Sequence, residues 1–153
     1  MGTALFYHLT QRPLEQTLSM LLDKASGAGM RVVVRGTDRA RLSALDERLW
    51  LGPEEGFLPH GLAGGPHDAL QPVLLTVKND APNGATCLMS IDGAEVSAGE
   101  LALFDRVCVL FDGNDPTALN QARGQWKQIK DAGCQAQYWS EESGRWEKKA
   151  ETS

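Results

Sequence analysis

Apolar residues follow two rhythms along this chain, short unbroken runs and a spacing of three to four, and the two alternate. "ALFYHL" at 4–9 is an unbroken apolar and aromatic run that reads as a first strand. Pro13 then opens a helix, because its missing N–H costs nothing in a first turn. Leu14, Leu18, Leu21 and Leu22 carry the helical period through residue 25, and "SGAG" at 26–29 ends it. "MRVVVRG" at 30–36 has three consecutive valines, the composition of a strand covered on both faces. Asp38 can cap the next helix, whose apolar face is Leu42, Leu45, Leu49 and Trp50.

The middle of the chain loses this rhythm. Residues 52–72 hold five glycines, four prolines, His60 and His67, which predicts a long loop with one short extended piece at Phe57–Leu58. "PVLLTV" at 72–77 and "ATCLMSI" at 85–91 read as strands separated by the turn chemistry of "NDAPNG". "SAGELALF" at 97–104 suggests a helical turn or two, and "DRVCVLFDG" at 105–113 is a second continuous apolar strand. In "DPTALNQARGQWKQIKDAG" Asp115 is the helix cap, Pro116 the first helical residue and Gly133 the terminator. "CQAQYWSEESGRWEKK" predicts a terminal hairpin turning at "SEESG". Strand and helix alternating in this order argue for an α/β domain with a largely parallel central sheet. One domain over 1–149 is expected, with a disordered tail at 150–153.

Composition narrows the chemistry. The chain of 153 residues is ordinary for a soluble globular domain, with 42% hydrophobic and 23% charged residues. No basic leader or membrane-length apolar run is visible, so a cytoplasmic location and no membrane partner are expected. Cys87, Cys108 and Cys134 are odd in number and widely spaced, which argues against a disulfide framework or a cysteine zinc site, and Cys108 reads as a buried thiol. His60, His67 and Asp68 share a loop without metal-ligand spacing, so no metal is expected. A Walker loop and a G-x-G-x-x-G turn are both absent, and "SGAG" lies at the wrong end of a helix to hold a phosphate. No nucleotide or other cofactor is therefore expected, and no nucleophile elbow recommends catalysis. The alternative kept open is a nucleotide- or small-molecule-dependent α/β enzyme using Asp112 and Asp115, which follow a central strand where such ligands bind.

Charge adds the most specific feature. The formal net charge is −5, which disfavours strong direct nucleic-acid binding, including a stacking platform of Trp126, Tyr138 and Trp139. Up to residue 122 there are nine basic and fifteen acidic side chains; from 123 onward there are six and five. "ARGQWKQIKDAG" at 122–133 holds much of this local excess. At about 100° per residue, Leu119, Ala122, Trp126 and Ile129 share one apolar sector, and Lys130, Arg123 and Lys127 follow along its edge. This describes either a core tryptophan flanked by solvated cations or a pocket for a ligand with one apolar group and one anionic group. The wheel leaves Trp126 on the border between core and pocket. Tyr138, Trp139, Arg145 and Trp146 on the hairpin could form a far wall. Phe57, ahead of Pro59 in the long loop, is either a packed anchor or a protein contact.

The segments "FYHL", "LDERLW…FLPHGLAG" and "LFDGND…ARGQWKQIKDAGCQAQYW", in this order, resemble the chi subunit family of bacterial DNA polymerase III over about residues 4–149. The resemblance implies a three-layer α/β/α domain, Rossmann-like without a phosphate-binding loop, acting as a non-catalytic accessory subunit of the clamp loader. It implies binding of the acidic, phenylalanine-ended C-terminal tail of single-stranded DNA-binding protein, and a second surface for the psi subunit or a helicase. Arg123 and Lys127 fall at positions that meet tail carboxylates, and Trp126 falls in the pocket wall. Lys130 is added from the helical wheel. Phe57 matches the aromatic of the partner-binding loop, with Trp50 and Pro59 nearby. Leu119 stands where other members can carry a cation, and Arg145 or Lys148 of the longer C-terminus are candidates to replace that charge.

Overall fold

A computed structural model describes residues 2–10, 13–50, 60–64, 68–78, 81–141, 143 and 145–152, with the backbone alone for 49, 50 and 152. The strand β1 (Thr3–Leu9) occupies a central position, paired in parallel with β6 (Arg106–Asp112) on one side and β7 (Gln135–Ser140) on the other. The remaining strands are β2 (Val32–Arg35), β3 (Gly61–Leu62), β4 (Val73–Thr76), β5 (Cys87–Ser90) and β8 (Glu147–Thr152). Among the described residues they form one eight-stranded sheet in the order β3-β4-β2-β5-β6-β1-β7-β8. Every neighbouring pair is parallel except β7 and β8. The largely parallel α/β architecture expected from the alternating pattern is the one observed.

Two cores follow from the period of two along each strand. Val32, Val34, Met89, Cys108 and Leu110 face α1 (Leu14–Gly27) and α2 (Arg39–Trp50), whose Leu18, Leu21, Leu22, Leu42 and Leu45 close that side. Ala4, Phe6, Val33, Leu88, Val109 and Phe111 face α3 (Pro116–Asp131), which contributes Ala122 and Ile129. The result is three layers. Cys87, Cys108 and Cys134 are all free and buried.

Helix boundaries obey the expected local chemistry. The Asp115 side chain accepts a hydrogen bond from the Thr117 N–H at 3.0 Å, Pro116 is the first helical residue, and Gly133 takes φ +78° past the end. The predicted turn at 97–104 is a short 3₁₀ segment, Ala98–Ala102. Its Glu100 meets Arg35, a fully buried cation at the end of β2, with Nη2 to Oε2 at 2.7 Å and Nη1 to Oε1 at 3.0 Å. A buried guanidinium needs such a two-pronged partner, since a lone charge there would cost several kcal/mol, about 3–5 for a broken pair.

Three regions depart from the sequence reading. The long loop contains the short strand β3 and a 3₁₀ turn, Asp68–Leu70, while the extended piece expected at Phe57–Leu58 lies outside the described residues, as does His67. Glu141, expected in an exposed turn, is 1% exposed, and its Oε1 accepts from the Thr10 N–H at 3.0 Å. That bond ties the base of the hairpin to the end of β1. The strand β8 runs on to Thr152, pairing Ala150 with Tyr138 and Thr152 with Ala136, where a frayed tail was expected from residue 150. The open edge of β7 has backbone groups to satisfy, and β8 satisfies them.

No helix among the described residues is long and apolar enough to cross a membrane. No group of three or more His, Cys, Asp or Glu that could hold a metal ion occurs among them either.

Candidate functional site

Where α3 leans over β1 and the β7–β8 hairpin, five aromatic side chains meet. Phe6 is wholly buried and forms a T-shaped pair with Trp126, centroids 5.4 Å apart. Tyr138 stacks on Phe6 at 6.5 Å and meets Trp126 edge-on at 5.8 Å. His8 is 8% exposed; its Nδ1 lies 2.8 Å from the Tyr138 hydroxyl, and its ring is 5.2 Å from Phe111. Edge-to-face and offset pairs of this kind contribute roughly 0.5–1.5 kcal/mol each beyond their buried area, enough to hold the ring positions before any ligand arrives.

Above this cluster opens a cavity of about 460 Å3. Its floor and walls are His8, Trp126, Tyr138, Ser140 and Ala150, and its charged lining is Arg123 and Lys149. Trp126 is half-buried, one side against Phe6 and Tyr138 and the other on the cavity, so the border position on the wheel corresponds to a shared role. The buried stripe of α3 is Ala122, Gln125 and Ile129. Gln125 had no apolar signal; its Nε2 donates to the Ala94 carbonyl at 3.4 Å, which shifts the stripe away from the cations and leaves Trp126 at the cavity.

The predicted cations separate. Arg123 lines the cavity, whereas Lys127 and Lys130 are exposed on α3 and are not part of its lining. Of the hairpin residues, Tyr138 faces the cavity. Trp146 lies on the opposite side of the sheet, edge-on to Tyr7 at 5.3 Å. Trp139 alternates to that side too, its Nε1 donating to Gln137 Oε1 at 3.1 Å, so Trp126, Tyr138 and Trp139 form no common stacking surface. Arg145 is bonded to Glu147 and Lys148 to Glu151. The hairpin cation in the lining is Lys149.

His8 and Lys149 escaped the sequence reading. His8 was legible in principle, because alternation along "ALFYH" puts Ala4, Phe6 and His8 on one face. Lys149 had no such signal. Phe57 and Pro59 lie outside the described residues, and so does the side chain of Trp50, although its backbone ends α2.

A second hollow, about 750 Å3, opens at the carboxyl ends of β1, β5 and β6. β1 leads to α1 on one face and the adjacent β6 leads to α3 on the other, so this is the switch point where open α/β sheets bind ligands. The described residues that line it do not suit a phosphate. Asp112 Oδ1 accepts from the Asn114 N–H at 2.9 Å, and Asp115 already fills the N-terminus of α3. Arg41 is spent on Glu15 at 3.0 Å and Asp92 at 3.2 Å. Burial alone would raise the Glu15 carboxyl, but its own backbone N–H and the Arg41 guanidinium hold it below the usual range. Among the described lining residues, four carboxylates thus surround one cation, Arg41, that is already paired.

Residues 1–137 match the family model described as DNA polymerase III chi subunit, HolC. The chain is 31% identical over 118 residues to the DNA polymerase III subunit chi of Pseudomonas aeruginosa, covering 77% of this chain and 80% of that one. It is 24% identical over 111 residues to the probable DNA polymerase III subunit chi of Rickettsia prowazekii, covering 69% and 67%. The match runs from β1 through β6 and the α3 helix to the start of β7, taking in Phe6, His8, Phe111 and Trp126 of the aromatic cluster, and the chain belongs to the DNA polymerase III chi subunit family.

Proposed function

We propose that this protein is a non-catalytic adaptor of the polymerase III clamp loader, and that the cavity between α3 and the terminal hairpin receives the acidic, phenylalanine-ended C-terminal tail of single-stranded DNA-binding protein. One observation carries the reading: Trp126 and Arg123 open onto the same cavity, above a preformed aromatic floor. A ligand ending in a ring beside a carboxylate fits both halves. The magnitudes divide the work. Burying a phenylalanine ring contributes roughly 1.5–3 kcal/mol, whereas an exposed ion pair contributes about 0.2–1 kcal/mol. The ring sets most of the affinity, and the cations set orientation and salt dependence.

Lys127 lies one turn along α3 from Arg123, and with Lys130 it extends the positive edge on which upstream aspartates of the tail would run. The overall charge of −5 keeps nucleic-acid phosphates from competing for this edge. A second partner, the psi subunit or a helicase, would use Trp50, Phe57 and Pro59; this part of the reading rests on the family resemblance of the segment.

Calorimetric titration with an acidic peptide ending in phenylalanine tests the reading. Binding in the micromolar range is expected, about −8 kcal/mol. Removing the last residue should weaken it at least about tenfold, the equivalent of 1.4 kcal/mol. Arg123→Glu, which replaces attraction by repulsion, should weaken binding severalfold with the fold intact by circular dichroism. Equal affinity for the two peptides would refute the pocket, and unchanged affinity of the variant would refute the anion site.

A further inference from the structure

Pairing between β7 and β8 slips by one residue. Tyr138 faces Ala150, but the next residue, Trp139, faces Lys148, so Lys149 is an extra residue in the edge strand. A bulge of this kind re-aims a side chain. Lys149 thereby points to the cavity already lined by Arg123, while Lys148 stays on the other face with Glu151, Nζ to Oε2 at 3.0 Å. Lys149 is not bare: its Nζ lies 3.3 Å from Glu147 Oε2. Glu147, opposite Ser140 and so on the cavity side, is also bonded to Ser143 Oγ at 2.8 Å and Arg145 Nε at 3.3 Å. The Ser143 hydroxyl, Lys149 and Arg145 together hold its carboxyl below the usual range, so it is anionic at neutral pH.

We infer that Lys149 is a ligand-binding cation of this cavity, facing Arg123 across it, and that Glu147 is a built-in place-holder whose carboxylate the peptide carboxylate displaces. The inference rests on the acidic-peptide reading above and adds to it: one wall of the anion site comes from the terminal hairpin, under competition from an internal acid. Because Lys149 is already paired with Glu147, an arriving carboxylate gains less from it than from a bare ammonium. The net gain is therefore small, and removing the competitor should strengthen binding.

Anisotropy titrations of a labelled acidic peptide ending in phenylalanine, with the full chain at low salt, test this. Lys149→Ala should weaken binding about threefold, within the range of an exposed ion pair. Glu147→Gln should tighten it about twofold or more. Lys148→Ala makes the same change in net charge one residue away and should leave affinity unchanged. Equal losses for Lys148→Ala and Lys149→Ala would mean that only overall charge matters and would overturn the inference. So would an unchanged Lys149→Ala, or a Glu147→Gln that binds no better. If those results came with weakened binding in Arg123→Glu, the pocket reading would stand while this addition fell. Wild-type protein that does not bind the peptide at all would overturn both.

Discussion

His8 Nδ1 lies 2.8 Å from the hydroxyl of Tyr138, a hydrogen bond that joins the central strand to β7 directly beneath the cavity. Tyr138→Phe keeps the ring that stacks on Phe6 and removes only the hydroxyl. The imidazole loses that hydrogen bond, so the variant should be less stable by about 0.5–1.5 kcal/mol. Urea denaturation monitored by circular dichroism checks this. Peptide affinity should change little, because the ring rather than the hydroxyl lines the apolar part of the site.

Gly113 follows β6 and passes so close to His8 that a Cβ there would clash with Cδ2 and Nε2 of the imidazole. Gly113→Ala should displace His8 and cost about 1–3 kcal/mol through overpacking. Gly124, beside Arg123 on α3, has open space where a Cβ would sit. Gly124→Ala should therefore stabilise the protein by about 0.5–1 kcal/mol, the helix-propensity difference. Thermal melts of the two variants should shift in opposite directions.

Glu100 gives the protein an acid sensitivity. Burial by itself raises its carboxyl, but Arg35, with the Ser97 backbone N–H and hydroxyl, holds it below the ordinary value of 4.5. A lowered native value means that the unfolded chain binds the proton more readily, so stability falls as the pH is lowered through that range. The contribution is complete above the ordinary carboxylate value and is lost as pH falls through the native one. Glu100→Gln should cost about 3–5 kcal/mol at neutral pH by leaving Arg35 poorly paired. Its stability should also decline less steeply below about pH 5. Denaturation midpoints as a function of pH measure both effects.

Arg123 and Lys130 carry the same charge on the same helix, but only Arg123 lines the cavity. Arg123→Ala should weaken peptide binding several times more than Lys130→Ala at equal ionic strength. Equal losses in calorimetry would mean that the ligand lies along α3 instead of entering the cavity.

Much of the architecture was readable because it rests on local rules. Three valines in a row, a proline after a capping aspartate and a glycine after the last helical turn have the same meaning in most α/β chains. The site was readable to the extent that it lies on one helix: period and composition found Arg123 and Trp126 together. Gln125 shows where this fails. Nothing in its polarity pointed to burial, but the Ala94 carbonyl, about thirty residues away in sequence, offers a partner inside. Glu141 is the same case at the hairpin, where the Thr10 N–H at the end of β1 makes burial of an acid possible.

The sequence by itself determined the α/β class, the helix ends and the placing of cations beside an indole, since each depends on neighbours within about one turn or one strand. Only the tertiary structure decided the strand order, the meeting of His8 with Tyr138 and the turning of Lys149 into the cavity. Those depend on register between segments far apart in the chain. A single-residue slip between β7 and β8 chooses which of two adjacent lysines reaches the site.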